Sequence, residues 1–261
     1  MMWRGCMLEE FNNDCCLSIA GLDPSGGAGI LADCKTIHAH NIYACCVVTC
    51  ITAQNPLEVS DIRQLDVKII GEEIDKILDV YPVEFVKTGM LYSEPIVKLV
   101  SRKIDEYNLK AVVDPVMISE SGCDLICDNF ANILNKHLIK KSYLITPNIH
   151  EAEQLSNIKI YDEEDMKNVA EYLSYDNNVV ITGGHLNGND ILFYDDKIIV
   201  IEGNIIDTKN THGTGCTYSS ALTCNLIQGH DTIESCIRSN KFIQTAIKNG
   251  YNYTPNQLNQ K

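Results

Sequence analysis

Short apolar segments alternate with longer segments of helical periodicity along the chain. The apolar segments, rich in β-branched residues, predict strands at 16–22, 43–53, 83–90, 111–116, 143–148 and 179–184. Apolar positions recurring every three or four residues predict helices near 30–40, 67–80, 95–107, 129–138, 215–228 and 231–249, and the strands at 143–148 and 179–184 bracket further helical stretches. Residues 190–206 predict a hairpin that turns at Asp195 and Asp196. Strands separated by such helices indicate βαβ units, so we expect an α/β fold, a three-layer α/β/α sandwich with a mainly parallel central sheet.

The chain contains no internal repeat, low-complexity tract or linker-like segment, which favours one domain. We expect that domain over residues 15–261, after an N-terminal extension at 1–14. The extension holds one arginine and three acidic residues, and no apolar segment of the signal-peptide kind follows it. No apolar segment approaches the roughly 20 residues that span a bilayer. These patterns predict a cytoplasmic protein.

The overall charge is strongly acidic, with 21 basic and 35 acidic residues and a formal net charge of −14. This balance argues against nucleic acid or an anionic membrane as a partner. The 12 cysteines include no C-x-x-C pair, and Cys123 and Cys127 lack zinc-site spacing. We therefore expect mostly free, buried thiols in a reducing compartment.

Chemistry is expected just after each strand, because ligands of open α/β sheets lie beyond the carboxyl ends of the strands. The candidate segments are AGLDPSGGAGILAD (20–33), TAQNP (52–56), KTGM (87–90), DPVM (114–117), TPNIHEAE (146–153) and THGTGCTYSSAL (211–222). The first contains G-x-G-x-x-A before a helix, but the next strand lacks the acidic residue of a dinucleotide site. No G-x-x-x-x-G-K-[ST] segment occurs, which excludes a P-loop.

Two carboxylates and one glycine turn indicate a phosphate site. Asp114 follows a buried strand, and Glu151 follows Asn148 at a strand-to-helix junction, where carboxylates suit Mg²⁺ held together with substrate phosphates. The alternatives are a turn aspartate and acids in a helix first turn. Backbone N–H groups of residues 213–216 at a helix start would bind an anion, which favours a magnesium–nucleotide site.

The chain resembles the hydroxymethylpyrimidine/phosphomethylpyrimidine kinase family of the ribokinase-like superfamily, from about Cys16 to Tyr251. The resemblance is carried by seven segments in the family's order and spacing: DPSGGAGILAD, TAQNP, VKTGM, DPVM, TPNIHEAE, GGHL and THGTGCT. It implies a ribokinase-like fold, usually dimeric. It also implies transfer of the ATP γ-phosphate to 4-amino-5-hydroxymethyl-2-methylpyrimidine and then to its monophosphate, for thiamine biosynthesis.

The resemblance also implies site residues. The pyrimidine side would comprise Gly21, Ala28, Asp33, Thr52, Gln54 and Met90, and the nucleotide side Asn148 and Lys241. Asp114 and Glu151 would be the Mg²⁺ carboxylates, and Gly213, Thr214, Gly215 and Cys216 the catalytic anion hole.

Cys216 stands where many ribokinase-like sugar kinases have a catalytic aspartate. Because helix N-termini depress the pKa of cysteines, a Cys216 thiolate could accept the hydroxymethyl proton. The alternative is a small residue that lets the helix start close to the ligand.

Two departures from the family lower the positive charge. Thr182 follows Ile181 where a lysine commonly precedes Gly-Gly-His, and Glu120 stands where a lysine often precedes Ser-Gly. The possible replacements are Lys87, Lys209 and Lys241.

A pyridoxal kinase of the same superfamily is the main alternative function, although Gln54 and Met90 favour the pyrimidine. A catalytically weak protein that binds the vitamin precursor is a third reading.

Overall fold

The computed structural model describes residues 14–117, 129–174, 177–184 and 186–258. The strands are β1 (Cys15–Leu22), β2 (Tyr43–Asn55), β3 (Glu58–Gln64), β4 (Phe85–Thr88), β5 (Lys110–Val113), β6 (Leu144–Ile145), β7 (Asn178–Ile181), β8 (Asp190–Tyr194) and β9 (Lys197–Ile201). The helices are α1 (Gly29–Ala39), α2 (Val67–Leu78), α3 (Glu94–Glu106), α4 (Phe130–His137), α5 (Ile149–Ser156), α6 (Glu163–Leu173), α7 (Thr214–Ile227) and α8 (Thr232–Lys248). Most of the predicted N-terminal extension, residues 1–13, lies outside the described residues, as do residues 259–261. Asp14 directly precedes β1.

The nine strands form one sheet in the order β3-β2-β1-β4-β5-β6-β7-β8-β9. Neighbours from β2 to β7 pair in parallel, whereas β3, β8 and β9 pair antiparallel at the two edges. Helices α2 to α6 cover one face and α1, α7 and α8 the other. The predicted sandwich with a mainly parallel sheet is therefore confirmed.

The apolar cores lie on the two faces of the sheet. Side chains that alternate along a strand face opposite layers. Val113 and Ile145 therefore belong to the core beneath α2 to α6, whereas Val112 and Leu144 pack beneath α7 and α8. This two-sided burial explains why these strands are continuous apolar segments in the sequence.

Strand β3 is the element that the sequence analysis missed. Its apolar residues Val59 and Ile62 are three positions apart, which is not the period of a regular strand. The pairing of β2 with β3 shifts register between Ala53 and Gln54, and both apolar side chains nevertheless pack toward Cys50 and Met90. The irregularity in the ladder thus concealed the strand.

The hairpin predicted at residues 190–206 is formed by β8 and β9. Asp195 and Asp196 make its two-residue turn with φ values of 51° and 57°. Positive φ at both central positions is typical of the type I′ turn, whose twist matches that of the strands. Asp and Asn tolerate this conformation better than most residues.

All nine cysteines in the described part of the chain are free, and six of them are buried. Sγ of Cys34 and Sγ of Cys46 lie 2.8 Å apart between α1 and β2. Cys123 and Cys127 lie outside the described residues. None of the described helices is both long and apolar enough to cross a membrane.

Candidate active site

A cavity of about 640 Å³ opens at the carboxyl ends of the parallel strands. It receives residues that follow β1, β5 and β6, the end of β2 and the start of α7. The predicted site residues that line it are Gly21, Ala28, Thr52, Gln54, Met90, Asp114, Asn148, Glu151, Gly213, Thr214, Gly215 and Cys216. Asp33 and Lys241 do not line it.

One end of the cavity is shaped by Gly21 and Met90. A Cβ on Gly21 would lie 2.8 Å from Cε of Met90 and 3.0 Å from Sγ of Cys50, so a larger residue there would displace the Met90 side chain. Oγ1 of Thr52 lies 3.1 Å from Oε1 of Gln54. No described residue hydrogen-bonds to Nε2 of Gln54, so this donor is available to a ligand. This end therefore offers the apolar side chain of Met90 and the amide of Gln54, which Thr52 orients.

Asp33 lies in a closed polar cluster between α1, β1, β4 and α7. Its carboxylate accepts hydrogen bonds from Oγ of Ser18 at 2.6 Å, from Nζ of Lys87 at 2.8 Å and from Oγ of Ser220 at 2.9 Å. Burial alone would lower the pKa of Lys87, but the carboxylate of Asp33 holds it above its ordinary value. The structure therefore does not bring Asp33 to the cavity, because Lys87 pairs with it inside the protein.

Asp114 follows β5 and is buried at the cavity wall. Its carboxylate accepts a hydrogen bond from Oγ of Ser219 at 3.0 Å and lies 3.8 Å from Nζ of Lys87. Burial raises the pKa of Asp114 to about 6, against the effect of the neighbouring Lys87 ammonium. The hydrogen bond that its carboxylate accepts from Ser219 comes from a side chain of α7 and not from the backbone N–H groups of a helix start.

Glu151 and Asn148 form a capping box at the start of α5. Oδ1 of Asn148 accepts from the Glu151 N–H at 2.9 Å, and Oε2 of Glu151 accepts from the Asn148 N–H at 3.0 Å. The helix-start alternative is thus correct for this pair, although both residues also line the cavity. Burial and the charge of Asp114 raise the pKa of Glu151 well above its ordinary value.

The donor set around these two carboxylates fits Mg²⁺. Two buried acids that disfavour each other's ionised form gain from a shared divalent cation. Oγ1 of Thr146 also lines the cavity, and it is buried with no hydrogen-bond partner among the described residues. No group of three or more His, Cys, Asp or Glu side chains able to hold a metal occurs in the described part of the chain. Magnesium is commonly held by one or two carboxylates plus substrate phosphates.

The start of α7 is a glycine turn at the cavity wall. Gly213 precedes the helix with φ of 88°, and no side chain caps it. A Cβ on Gly213 would lie 1.9 Å from the carbonyl oxygen of Gly27, so glycine is required there. The Thr214 N–H donates to the Thr211 carbonyl oxygen at 3.0 Å, so this member of the predicted anion hole is already used within the turn. Uncapped N–H groups at a helix start are typical of anion sites.

The pKa of the Cys216 thiol is not depressed as the sequence analysis expected. Burial raises the pKa of the Cys216 thiol to about 12, although the charge of Lys87 and the Gly29 N–H lower it. Asp114 and Asp33 raise it further. The expectation of a depressed pKa was wrong, because desolvation and two nearby carboxylates outweigh the helix N-terminus.

The other end of the cavity was missed by the sequence analysis. Its wall comes from the connection after β9 and from one face of α8, and it includes Asn204, Ile205, Ile206, Asn240, Ile243, Gln244 and Ile247. Nδ2 of Asn240 donates to Asp190 at 2.7 Å. The available sequence signal was the spacing of Ile243 and Ile247, which places them on one helical face. Such spacing usually marks core packing, so it did not indicate a ligand.

The charge of the cavity wall is negative. Asp23, Asp114, Glu151 and Asp190 line it, whereas no lysine or arginine of the described ranges does. Lys209 and Lys241 are exposed elsewhere. The basic side chains along the wall are His150 and His212. Glu120 and His185, from two of the segments that carry the resemblance, lie outside the described residues.

Comparison with known proteins identifies the family of the chain. Residues 23–260 match the family model described as phosphomethylpyrimidine kinase. The chain is 38% identical over 240 residues to the hydroxymethylpyrimidine/phosphomethylpyrimidine kinase of Bacillus subtilis, covering 89% of each chain. It is 40% identical over 238 residues to the thiamine biosynthesis bifunctional protein ThiED of Geobacter sulfurreducens, covering 89% of this chain and 49% of that one. The chain thus spans about half the length of the bifunctional relative.

A solved structure shares the fold. The crystal structure of an ADP complex of Bacillus subtilis pyridoxal kinase matches with a TM-score of 0.83 and 35% sequence identity. The match covers 92% of this chain and 93% of that chain.

Proposed function

The chain belongs to the phosphomethylpyrimidine kinase family, and we propose how its cavity performs that family's reaction. The enzyme is a phosphotransferase of thiamine biosynthesis. It phosphorylates 4-amino-5-hydroxymethyl-2-methylpyrimidine with ATP and then converts the monophosphate to the diphosphate. The observation that carries this proposal is one cavity whose wall joins an oriented amide, two buried carboxylates and an uncapped helix start.

The pyrimidine binds at the end that Gly21 shapes. An aminopyrimidine edge offers a donor beside an acceptor, which pairs with the two polar atoms of the Gln54 amide. Met90 packs on the ring through its polarizable thioether. Ala28 and Thr52 border this position. The hydroxymethyl group then lies toward the start of α7.

ATP occupies the rest of the cavity. The base contacts the apolar face that Ile243 and Ile247 form, and the amides of Asn240 and Gln244 supply polar contacts. The ADP complex of the Bacillus pyridoxal kinase supports nucleotide binding by this fold. Lys241, on the same helix, is exposed and does not line the cavity, so it acts on the nucleotide only through its charge at a distance.

Asp114 and Glu151 are the residues that would hold Mg²⁺, with Asn148 fixing Glu151 through the capping box. When bound, magnesium offsets negative charge on the transferred phosphate. The backbone N–H groups of Gly213, Gly215 and Cys216 stabilise charge that develops on the phosphoryl oxygens, whereas the Thr214 N–H donates to Thr211. These donors need little reorganisation, because Gly213 is held tightly against Gly27.

Cys216 contributes its backbone N–H and a small side chain that lets α7 start close to the ligand. Its thiol is protonated at neutral pH, since its pKa is about 12, so it does not accept the hydroxymethyl proton. Phosphoryl transfer requires little base catalysis. The alcohol proton passes to solvent as the alcohol oxygen bonds to the γ-phosphorus and the bond from that phosphorus to the leaving ADP oxygen breaks.

Pyridoxal is the second candidate acceptor, because it is also a nitrogen heterocycle with a hydroxymethyl group and the matched solved structure is a pyridoxal kinase. The test is steady-state kinetics of both alcohols with MgATP. We expect kcat/KM for the pyrimidine to exceed that for pyridoxal at least tenfold. A higher value for pyridoxal would reverse the assignment, and pyrimidine binding without ATP turnover would indicate a precursor-binding protein instead.

A homodimer formed by a single domain over residues 15–261 completes the proposal. Three exposed apolar side chains in β2 and in the connection from β2 to β3 support association along this edge of the sheet: Tyr43, Ile51 and Leu57. The acidic net charge of −14 supports small-molecule partners over nucleic acid or a membrane surface.

A further inference from the structure

Asp23 is a buried carboxylate just after β1, in the glycine-rich segment that precedes α1. It accepts hydrogen bonds from the Ser25 N–H at 2.8 Å, from Oγ of Ser25 at 2.9 Å and from the Ala28 N–H at 2.9 Å. Burial would raise its pKa, but these bonds and one from His212 hold the pKa below the ordinary value. Asp23 is therefore ionised at neutral pH and fixes the course of residues 23–28.

His212 is the fourth partner of Asp23 and comes from the opposite end of the chain. Its Nε2 lies 2.8 Å from Oδ2 of Asp23, across 189 residues of sequence. Both side chains are buried. The His212 N–H also donates to the carbonyl oxygen of Tyr253 at 2.9 Å. His212 directly precedes Gly213, so its position sets where the anion-binding turn begins.

The two segments that this pair joins are in close contact. A Cβ on Gly27 would lie 2.4 Å from Cδ2 of His212, and a Cβ on Gly213 would lie 1.9 Å from the Gly27 carbonyl oxygen. The backbone at Gly27 is therefore packed against residues 212 and 213, with no space for a Cβ atom at Gly27 or Gly213. A small displacement of His212 would move the first turn of α7 relative to the acceptor end of the cavity.

We propose that the Asp23–His212 pair is a positioning pair that holds the anion-binding turn at a fixed distance from the acceptor segment. This inference rests on the proposed function, because it assigns the first turn of α7 to the transferred phosphate. The pair contacts neither reacting atom in this account. It acts by keeping the N–H groups of residues 213–216 aligned, and misplacement by about 1 Å can cost on the order of 10²-fold in rate.

The test compares His212→Ala with His212→Gln, whose amide can still donate to Asp23. We expect His212→Ala to lower kcat about 10²-fold, while KM for the alcohol and for ATP changes less than about threefold. His212→Gln should stay within about fivefold of the wild-type kcat, since it keeps the donor. Asp23→Asn should lower kcat about tenfold, and Asp23→Asn/His212→Ala should be no worse than His212→Ala alone.

Hydrogen exchange of the native enzyme gives a readout that does not depend on turnover. The amides of residues 213–217 should exchange faster in His212→Ala than in the wild type, and at the wild-type rate in His212→Gln. Unchanged exchange in His212→Ala, or a rise in KM at constant kcat, would overturn the inference. If His212→Ala does not fold, Asp23→Asn is judged by the same two criteria. A wild-type enzyme inactive on both alcohols would refute the proposed function, whereas the exchange result would still decide the role of the pair.

Discussion

Two pairs of buried charged side chains lie close together beneath the same cavity, and they differ in how their charge is balanced. Asp33 is paired with Lys87 at 2.8 Å, and both side chains are fully buried. Asp114 and Glu151 are both acids, and the charge of Asp114 raises the pKa of Glu151. The first pair balances its charge within the protein, whereas in the proposed function a bound cation would balance the charge of the second.

This difference separates structural charge from functional charge. A buried charge whose partner also belongs to the protein acts on the stability of the folded state. A raised pKa of a buried carboxyl group means that nearby positive charges and hydrogen-bond donors do not fully stabilise its ionised form. Such groups are typical of binding and catalytic sites. The comparison therefore predicts that substitutions in the first pair change stability and substitutions in the second change activity.

The largest effect is expected for Lys87→Met. Removing the ammonium leaves the Asp33 carboxylate buried and unpaired, which should cost about 3–5 kcal/mol in the free energy of unfolding. Urea unfolding followed by circular dichroism measures this loss. The double variant Asp33→Asn/Lys87→Met should recover part of it, because neither charge is then buried alone.

A matched control for that variant is Lys110→Met, which removes an exposed lysine 2.7 Å from Oε1 of Glu84. It should change the free energy of unfolding by less than about 1 kcal/mol, as exposed ion pairs do. Equal losses in the two variants would contradict the distinction between the pairs.

Asp114→Asn should have the next largest effect, and it should act on catalysis. We expect kcat to fall on the order of 10²–10³-fold and the Mg²⁺ concentration for half-maximal rate to rise. A carboxyl group with a raised folded-state pKa loses stability as pH rises from its unfolded value toward about 6. The amide is free of this penalty, so the variant should be at least as stable as the wild type at pH 7.

Magnesium titrations of the rate, together with urea unfolding at pH 5 and pH 7, test that expectation. The advantage of Asp114→Asn in stability should be larger at pH 7 than at pH 5. An unchanged magnesium response would remove Asp114 from the metal site.

Cys216→Ser should show the smallest of the three effects. We expect kcat to stay within about tenfold of the wild type with little change in KM, because the serine keeps a small side chain and the backbone donors, and the transfer needs little base catalysis. Alkylation by iodoacetamide, followed by peptide mass spectrometry, should leave Cys216 largely unmodified at pH 8, given its pKa of about 12. A fall in kcat of about 10²-fold or more would instead assign proton transfer to the thiol.

Much of the fold followed from local patterns. The strands β1 and β2 and the helices α7 and α8 were predicted to within two residues at each end, because their apolar periodicity continues to their termini. β3 was missed because a register shift breaks its alternation. The nucleotide end of the cavity was missed because Ile243 and Ile247 have the same spacing as core residues.

The sequence by itself determined which residues reach the carboxyl edge of the sheet. Asp114, Gln54 and Cys216 follow or begin regular elements, and the topology of parallel strands brings such positions together. That inference requires only hydrophobic periodicity and the positions of glycine and proline, which are local properties.

Only the tertiary structure decided the charge state and the partner of each group. Lys87 was a candidate phosphate cation until Asp33 was found 2.8 Å from it. Cys216 was expected to ionise readily until burial raised its pKa to about 12. Desolvation and ion pairing depend on residues distant in sequence, so no local pattern could report them.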